Sequence, residues 1–150
     1  MKQEFITNSP EETIAFAERF GKLLHAGDVI AYRGDLGAGK TTFTRGLALG
    51  LGLKDLVTSP TFALVHVYGM PPLQLCHFDM YRIENEEELE TTGFYDYLPE
   101  ESIFAIEWSE NIEGALPQDT IWLTLETSGD EQRRIILETK GSERFADFRA

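Results

Sequence analysis

A chain of 150 residues has the length of one domain, expected here over residues 1–150, and buries an ordinary core. With 42% hydrophobic and 26% charged residues it is not disordered, and one cysteine with three histidines excludes an internal disulfide and a structural zinc. The net charge of −13 is one-sided: residues 1–60 hold seven Lys/Arg and seven Asp/Glu, residues 61–150 six and nineteen. Such a surface repels phosphate backbones, which argues against direct nucleic-acid binding and suits a basic protein partner or simple solubility.

The opening MKQEFITNSPEE has no apolar core of a secretory signal, and no apolar run reaches membrane-spanning length, so a cytoplasmic protein is expected. Gln3–Thr7 reads as a first strand. Ser9-Pro10-Glu11-Glu12 reads as a helix start, with Ser9 as N-cap, Pro10 at N1 and Glu12 completing a capping box. Ile14, Ala17, Phe20 and Leu24 continue that helix as an apolar stripe, ended by Ala26-Gly27-Asp28. Val29–Tyr32 is a short apolar run leading into a glycine loop, the pattern of a buried parallel strand. Residues 39–49 resume a helical pattern, closed by Gly50 and Gly52.

Beyond Pro60, Phe62–Tyr68 and Leu73–Tyr81 read as two extended runs around a turn at Met70-Pro71-Pro72, an antiparallel hairpin. Asn85 caps a short acidic helix, Glu86–Glu90. Ile103–Ile106 is a buried strand ending at Glu107. Thr120–Glu126 and Arg133–Thr139 alternate as strands, and Gly141–Ala150 reads as a short helix.

Gly34-Asp35-Leu36-Gly37-Ala38-Gly39-Lys40-Thr41 fits G-x-x-x-x-G-K-[ST] in full, between a strand and a helix pattern. The glycines let backbone N–H groups turn inward around phosphates, and the helix beyond points its positive end at the same anion. The motif places Lys40 on the β- and γ-phosphates and the Thr41 hydroxyl on Mg²⁺, with Thr42 towards the α-phosphate. A carboxylate at the end of a buried strand completes such a site, and two are available. Glu107 follows the cleaner apolar run and is preferred at the metal; Asp79 is then a catalytic or γ-phosphate-sensing group. Either is also open to a purely structural role. Thr61 or Ser59 sits where switch loops occur, with a plain turn capped by local Ser/Thr hydroxyls as the other reading, and Trp108 is read equally as a neighbour of the nucleotide or a core residue. His77 shares a strand face with Asp79 and reads as an ordinary, partly buried histidine, with a general-base role as the other possibility. Arg82 reads as a salt-bridge partner of the following glutamates, with phosphate binding as the other possibility.

Absences narrow the class. There is no N-K-x-D guanine motif, no L-S-G-G-Q signature and no arginine-rich lid, since only Arg82 lies between Arg45 and Arg133. ATP hydrolysis is favoured, with a small-molecule or nucleotide kinase and an ATP-sensing adaptor that need not hydrolyse as the alternatives.

Four blocks, Gly34–Phe43, Thr58-Ser59-Pro60-Thr61-Phe62, His77-Phe78-Asp79-Met80-Tyr81-Arg82 and Ile106-Glu107-Trp108, occur in the order seen in the TsaE (YjeE) family, which the chain resembles. The resemblance runs from the first helix to about Trp108 and more weakly into the last strands; Met80 is a conservative departure within the third block. It implies an α/β fold: a single P-loop NTPase-like domain with a central mixed sheet flanked by helices and antiparallel strands added after the P-loop helix. It also implies a partner-activated ATPase, weak alone, that acts on the TsaD–TsaB complex in threonylcarbamoyladenosine synthesis at tRNA position 37 and meets tRNA only indirectly. Within the site it implies Gly34, Asp35, Leu36, Gly37, Ala38, Gly39, Lys40, Thr41 and Thr42 around ATP and Mg²⁺, Glu107 at the metal and Asp79 in catalysis. Thr61 is implied as a switch and Trp108 as a neighbour, with Ser9, Glu12 and Arg133 near the base or ribose.

Overall fold

The computed structural model describes residues 1–34, 39–53, 65–70, 72–80, 83–140, 143–146 and 148. Strand β1 (Lys2–Thr7) leads into helix α1 (Pro10–Gly21), strand β2 (Val29–Gly34) and helix α2 (Lys40–Gly50). The hairpin β3 (Val65–Met70) and β4 (Leu73–Asp79) follows, then β5 (Ser102–Glu107), β6 (Ile121–Thr127) and β7 (Arg133–Glu138). Among the described residues these strands form one sheet in the order β1-β7-β6-β2-β5-β4-β3. The four central strands β6, β2, β5 and β4 are parallel; β3 runs antiparallel to β4, and β7 antiparallel to both β6 and β1. The expected mixed sheet, with antiparallel strands added beyond the P-loop helix, is what the chain forms.

Alternation along the strands divides the core in two. Ile30, Tyr32, Leu75, Ile103 and Leu123 pack on one face with Phe16 and Phe20 of α1 and Phe43 and Leu47 of α2. Val29, Cys76, Phe78, Phe104 and Ile106 pack on the other with Ile83, Leu89 and Ile112. That second face is covered by short 3₁₀ turns, among them Glu86–Thr92 and Ser109–Ala115. Cys76 is fully buried, as expected of a small hydrophobe, and burial pushes its thiol up to about 11.

Beside the packing of Phe16 and Phe20 on Phe43, the two long helices come close to backbone contact at Gly46 and Gly50. A Cβ on Gly46 would stand 2.4 Å from Ala17 Cβ and 2.5 Å from Ile14 O, and one on Gly50 2.2 Å from Glu18 O. The glycines of α2 therefore do more than end a helix: they set how closely it lies on α1, and so where its first turn sits.

Helix α1 stops at Gly21, short of the Ala26-Gly27-Asp28 terminus its apolar stripe suggests. Leu23 N–H and Leu24 N–H donate to Phe20 O and Gly21 O in a tighter turn, and Leu24 is still buried. Burial that extends an apolar stripe needs no helix beneath it. The tail contributes a 3₁₀ turn, Glu143–Phe145, that seats Phe145 in the core, and Arg144 pairs bidentately with Asp28 at 2.7 and 2.8 Å.

Candidate functional site

Strands β1, β6, β2, β5 and β4 run in one direction, so Thr7, Thr127, Gly34, Glu107 and Asp79 end at one edge of the sheet. In open α/β sheets this carboxyl edge is where ligands bind. Gly34 leaves β2 at φ +115°, and a Cβ there would lie 1.9 Å from Leu125 O, so the neighbouring strand alone demands glycine. The chain re-enters at Gly39, which caps α2 in the left-handed region at φ +103° with no side-chain hydrogen bond, and the first turn of α2 holds no acidic residue. Among the described residues no side chain caps its first N–H groups or offsets its positive end.

Behind that turn lies a buried polar chain. The Thr44 hydroxyl donates to Lys40 O at 2.8 Å, so the Tyr32 hydroxyl donates to Thr44 Oγ1 at 2.7 Å. Burial pushes the Tyr32 hydroxyl well above its ordinary range, so it acts only as a neutral donor. This link ties the first turn of α2 to β2. Nothing in the alternation of Val29–Tyr32 announces it, although a tyrosine in an otherwise aliphatic strand and a buried threonine on a helix were the available signals.

Asp79 and Glu107 are register partners on adjacent parallel strands. By alternation they share the face of Leu75 and Ile103, which α2 covers. Adjacent strands stand about 4.8 Å apart, so the two acidic residues stand side by side at this edge. Glu107 Oε2 lies 2.5 Å from Nε2 of His77, a residue that is fully buried rather than partly so. Lys40 reaches across from α2, its Nζ 5.8 Å from the centroid of the Trp108 ring. Trp108 has φ 60° and ψ 41°, left-handed backbone that costs a non-glycine residue about 1–2 kcal/mol. It is 37% exposed, so it is a residue of the site's rim and not of the core. Strain of this kind collects at functional sites, where the surroundings hold it.

On the other flank, Arg133 pairs in register with Thr7 and Thr127, and its Nε lies 4.0 Å from the point a Cβ on Gly39 would occupy. Its Nη1 donates to Gln132 O at 2.9 Å. Ser9 and Glu12 follow Thr7 at the same edge, where Asn8 accepts from Gln132 at 2.9 Å. Ser9 Oγ accepts the Glu12 N–H at 3.1 Å, the expected N-cap. Gly34, Gly39, Lys40, Asp79, Glu107, Trp108 and Arg133 thus gather at one edge, and Thr41 and Thr42 lie in the first turn of α2. Asp35, Leu36, Gly37, Ala38 and Thr61, together with Ser59 and Arg82, lie outside the described residues.

The residues present fit a triphosphate with Mg²⁺. An uncapped helix end free of acids suits an anion, and hydroxyl and carboxylate oxygens suit a hard cation. Among the described residues no group of three or more His, Cys, Asp and Glu could hold a metal, so a cation here would complete its shell with phosphate and water, as Mg²⁺ commonly does. No helix among the described residues is long and apolar enough to cross a membrane.

A family model described as threonylcarbamoyl adenosine biosynthesis protein TsaE matches residues 7–135, which include every residue named at this edge. The tRNA threonylcarbamoyladenosine biosynthesis protein TsaE of Bacillus subtilis is 41% identical over 143 residues, 95% of this chain and 89% of that protein. The protein of the same name from Haemophilus influenzae is 44% identical over 116 residues, 77% of this chain and 73% of its own. The crystal structure of Bacillus subtilis YdiB superposes with a TM-score of 0.76 at 35% identity, covering 94% of this chain and 87% of that one. A family match across most of the sequence, with relatives above 40% identity and the same fold, means that the chain belongs to the TsaE family.

Proposed function

We propose that this chain binds and hydrolyses ATP with Mg²⁺ at the carboxyl edge of its sheet, and so drives a partner complex in tRNA threonylcarbamoyladenosine synthesis. The observation that carries the ATP reading is the uncapped, acid-free start of α2 beside the paired carboxylates Asp79 and Glu107. The pathway follows from the names of the relatives, and TsaD with TsaB is the complex proposed as partner.

In this reading the N–H groups of Gly39 and of the first turn of α2 receive the phosphates, and Lys40 neutralises the β- and γ-oxygens. Thr42 contacts the α-phosphate. The Thr41 hydroxyl and Glu107 would hold the cation, which would supply positive charge to stabilise the leaving oxygens. Asp79 orients the attacking water, and Thr61 senses the γ-phosphate. Trp108 and Lys40 close the site on the β5 side; Arg133, Ser9 and Glu12 border it on the side of the base or ribose. The rest of the chain is acidic, so the load is a protein surface rather than tRNA itself.

Phosphate release from ATP with Mg²⁺, measured with and without the TsaD–TsaB complex, tests the proposal. Slow turnover alone that rises at least several-fold with the complex is expected. A complex able to modify tRNA that leaves the turnover unchanged would contradict it, and tRNA modification that survives Asp79→Ala despite lost turnover would point to an ATP-sensing adaptor.

A further inference from the structure

Resting on this ATP·Mg²⁺ reading, we infer that His77 is a positioning residue that fixes the Glu107 carboxylate for the metal. The two side chains form a diagonal pair across β4 and β5: His77 is in register with Ala105, and Glu107 lies two residues further along the same face. His77 is fully buried, and the Glu107 side chain is 14% exposed, so their 2.5 Å contact is largely screened from water. The imidazole edge packs on the Tyr32 ring, with centroids 6.4 Å apart at 72°. Tyr32 is itself held by Thr44 and, through it, by Lys40 O. The ring therefore stands on a fixed support that also carries the first turn of α2.

The direction of this bond follows from the partner: a carboxylate oxygen only accepts, so the ring nitrogen facing it, Nε2, carries a proton. Nδ1 is buried without a hydrogen-bond partner among the described residues, so nothing on that side competes for the ring's orientation. Nε2–H donates to Oε2 of Glu107 and occupies that oxygen. Oε1 is left for the open edge, and Met80 N–H, donating to Glu107 O at 2.9 Å, fixes the backbone beneath it. A long acidic side chain free to rotate would lose entropy on taking a cation; here that freedom is already removed. Groups that hydrogen-bond a ligating carboxylate commonly matter 10–100-fold, by about that factor, in metal affinity.

The test is ATP binding by the full chain as Mg²⁺ is titrated, for wild type, His77→Leu and His77→Gln, with thermal melting to confirm folding. The Leu variant removes the donor; the Gln amide places an N–H near the position of Nε2. For His77→Leu, the Mg²⁺ concentration giving half-maximal tightening is expected to rise about 10-fold or more. Metal-free ATP affinity stays within about twofold, and His77→Gln returns most of the loss. If the Leu variant fails to fold, His77→Asn, one methylene too short to reach Glu107, replaces it with the same expected loss. An unchanged Mg²⁺ requirement, an equal loss with and without metal, or no rescue by Gln would overturn the inference. A wild-type chain that binds ATP without any Mg²⁺ effect would instead overturn the reading on which it rests.

Discussion

The starts of the two long helices solve the same problem in opposite ways. Each leaves N–H groups without intrahelical partners and a positive dipole end. At α1 the chain answers from within: Ser9 Oγ accepts the Glu12 N–H, Pro10 removes a donor, and Glu11 and Glu12 supply negative charge. At α2, among the described residues, it supplies none of these, only Gly39 at φ +103° and a first turn without an acid. The first helix is finished by its own sequence, and the second is left open in the way the proposed anion site requires. What holds α2 in place meanwhile is packing behind the turn, through Tyr32–Thr44–Lys40 and through Gly46 and Gly50 against α1.

Making α2 resemble α1 should break the contrast most strongly. Thr42→Glu puts an acid in the first turn; it should stabilise the fold by about 0.3–1 kcal/mol while lowering ATP affinity by about two orders of magnitude or more. Opposite signs in thermal melting and in nucleotide titration are the signature. Equal signs would mean that the turn is not an anion site.

Next in size is the packing that holds the bare helix end. Alanine is a better helix former than glycine by about 1 kcal/mol, so propensity alone makes Gly46→Ala stabilising. Its Cβ would meet Ile14 O at 2.5 Å, so overpacking should win, with a net loss of about 2 kcal/mol in urea unfolding. A stabilised variant would show that α1 and α2 can separate freely.

At the helix that caps itself, Ser9→Ala removes the hydroxyl that accepts from Glu12 and should cost about 1 kcal/mol, read as a lower urea midpoint at unchanged slope. Smaller still is Trp108→Gly. Glycine relieves the left-handed strain of about 1–2 kcal/mol but loses the indole's contacts, so stability should change by less than about 1 kcal/mol. ATP affinity should nevertheless fall, because the indole beside Lys40 is gone. A large stability loss would make Trp108 a core residue.

The parts of the molecule legible in the sequence are those written by local rules. The Ser9 cap, the apolar strand before Gly34, the acid ending β5 and the β3–β4 hairpin follow from capping chemistry, strand patterning and turn residues. The pairing of His77 with Glu107 does not, because it depends on the register of two strands separated by the 3₁₀ turns. Spacing marks Asp79 and Glu107 as candidates but cannot show that they are register partners on one face. The 3₁₀ segments after Gly93 carry no 3.6-residue stripe and escape a periodicity argument. Gly34 was legible as a phosphate-loop glycine, whereas its contact with Leu125 O emerges only once β2 lies beside β6. Arg133 is placed near the base or ribose only by the resemblance; its spacing in the chain does not show it, and the β1–β7–β6 pairing brings its guanidinium beside Gly39.

The central claim is that the bare start of α2 takes the phosphates of a nucleotide. Calorimetric titration of the full chain with Mg²⁺ and either ATP or adenosine tests it most directly, since the two ligands differ only in the triphosphate. The account predicts one saturable site for ATP and binding of adenosine weaker by at least about 100-fold, a difference of about 2.7 kcal/mol. Adenosine bound as tightly as ATP would contradict it.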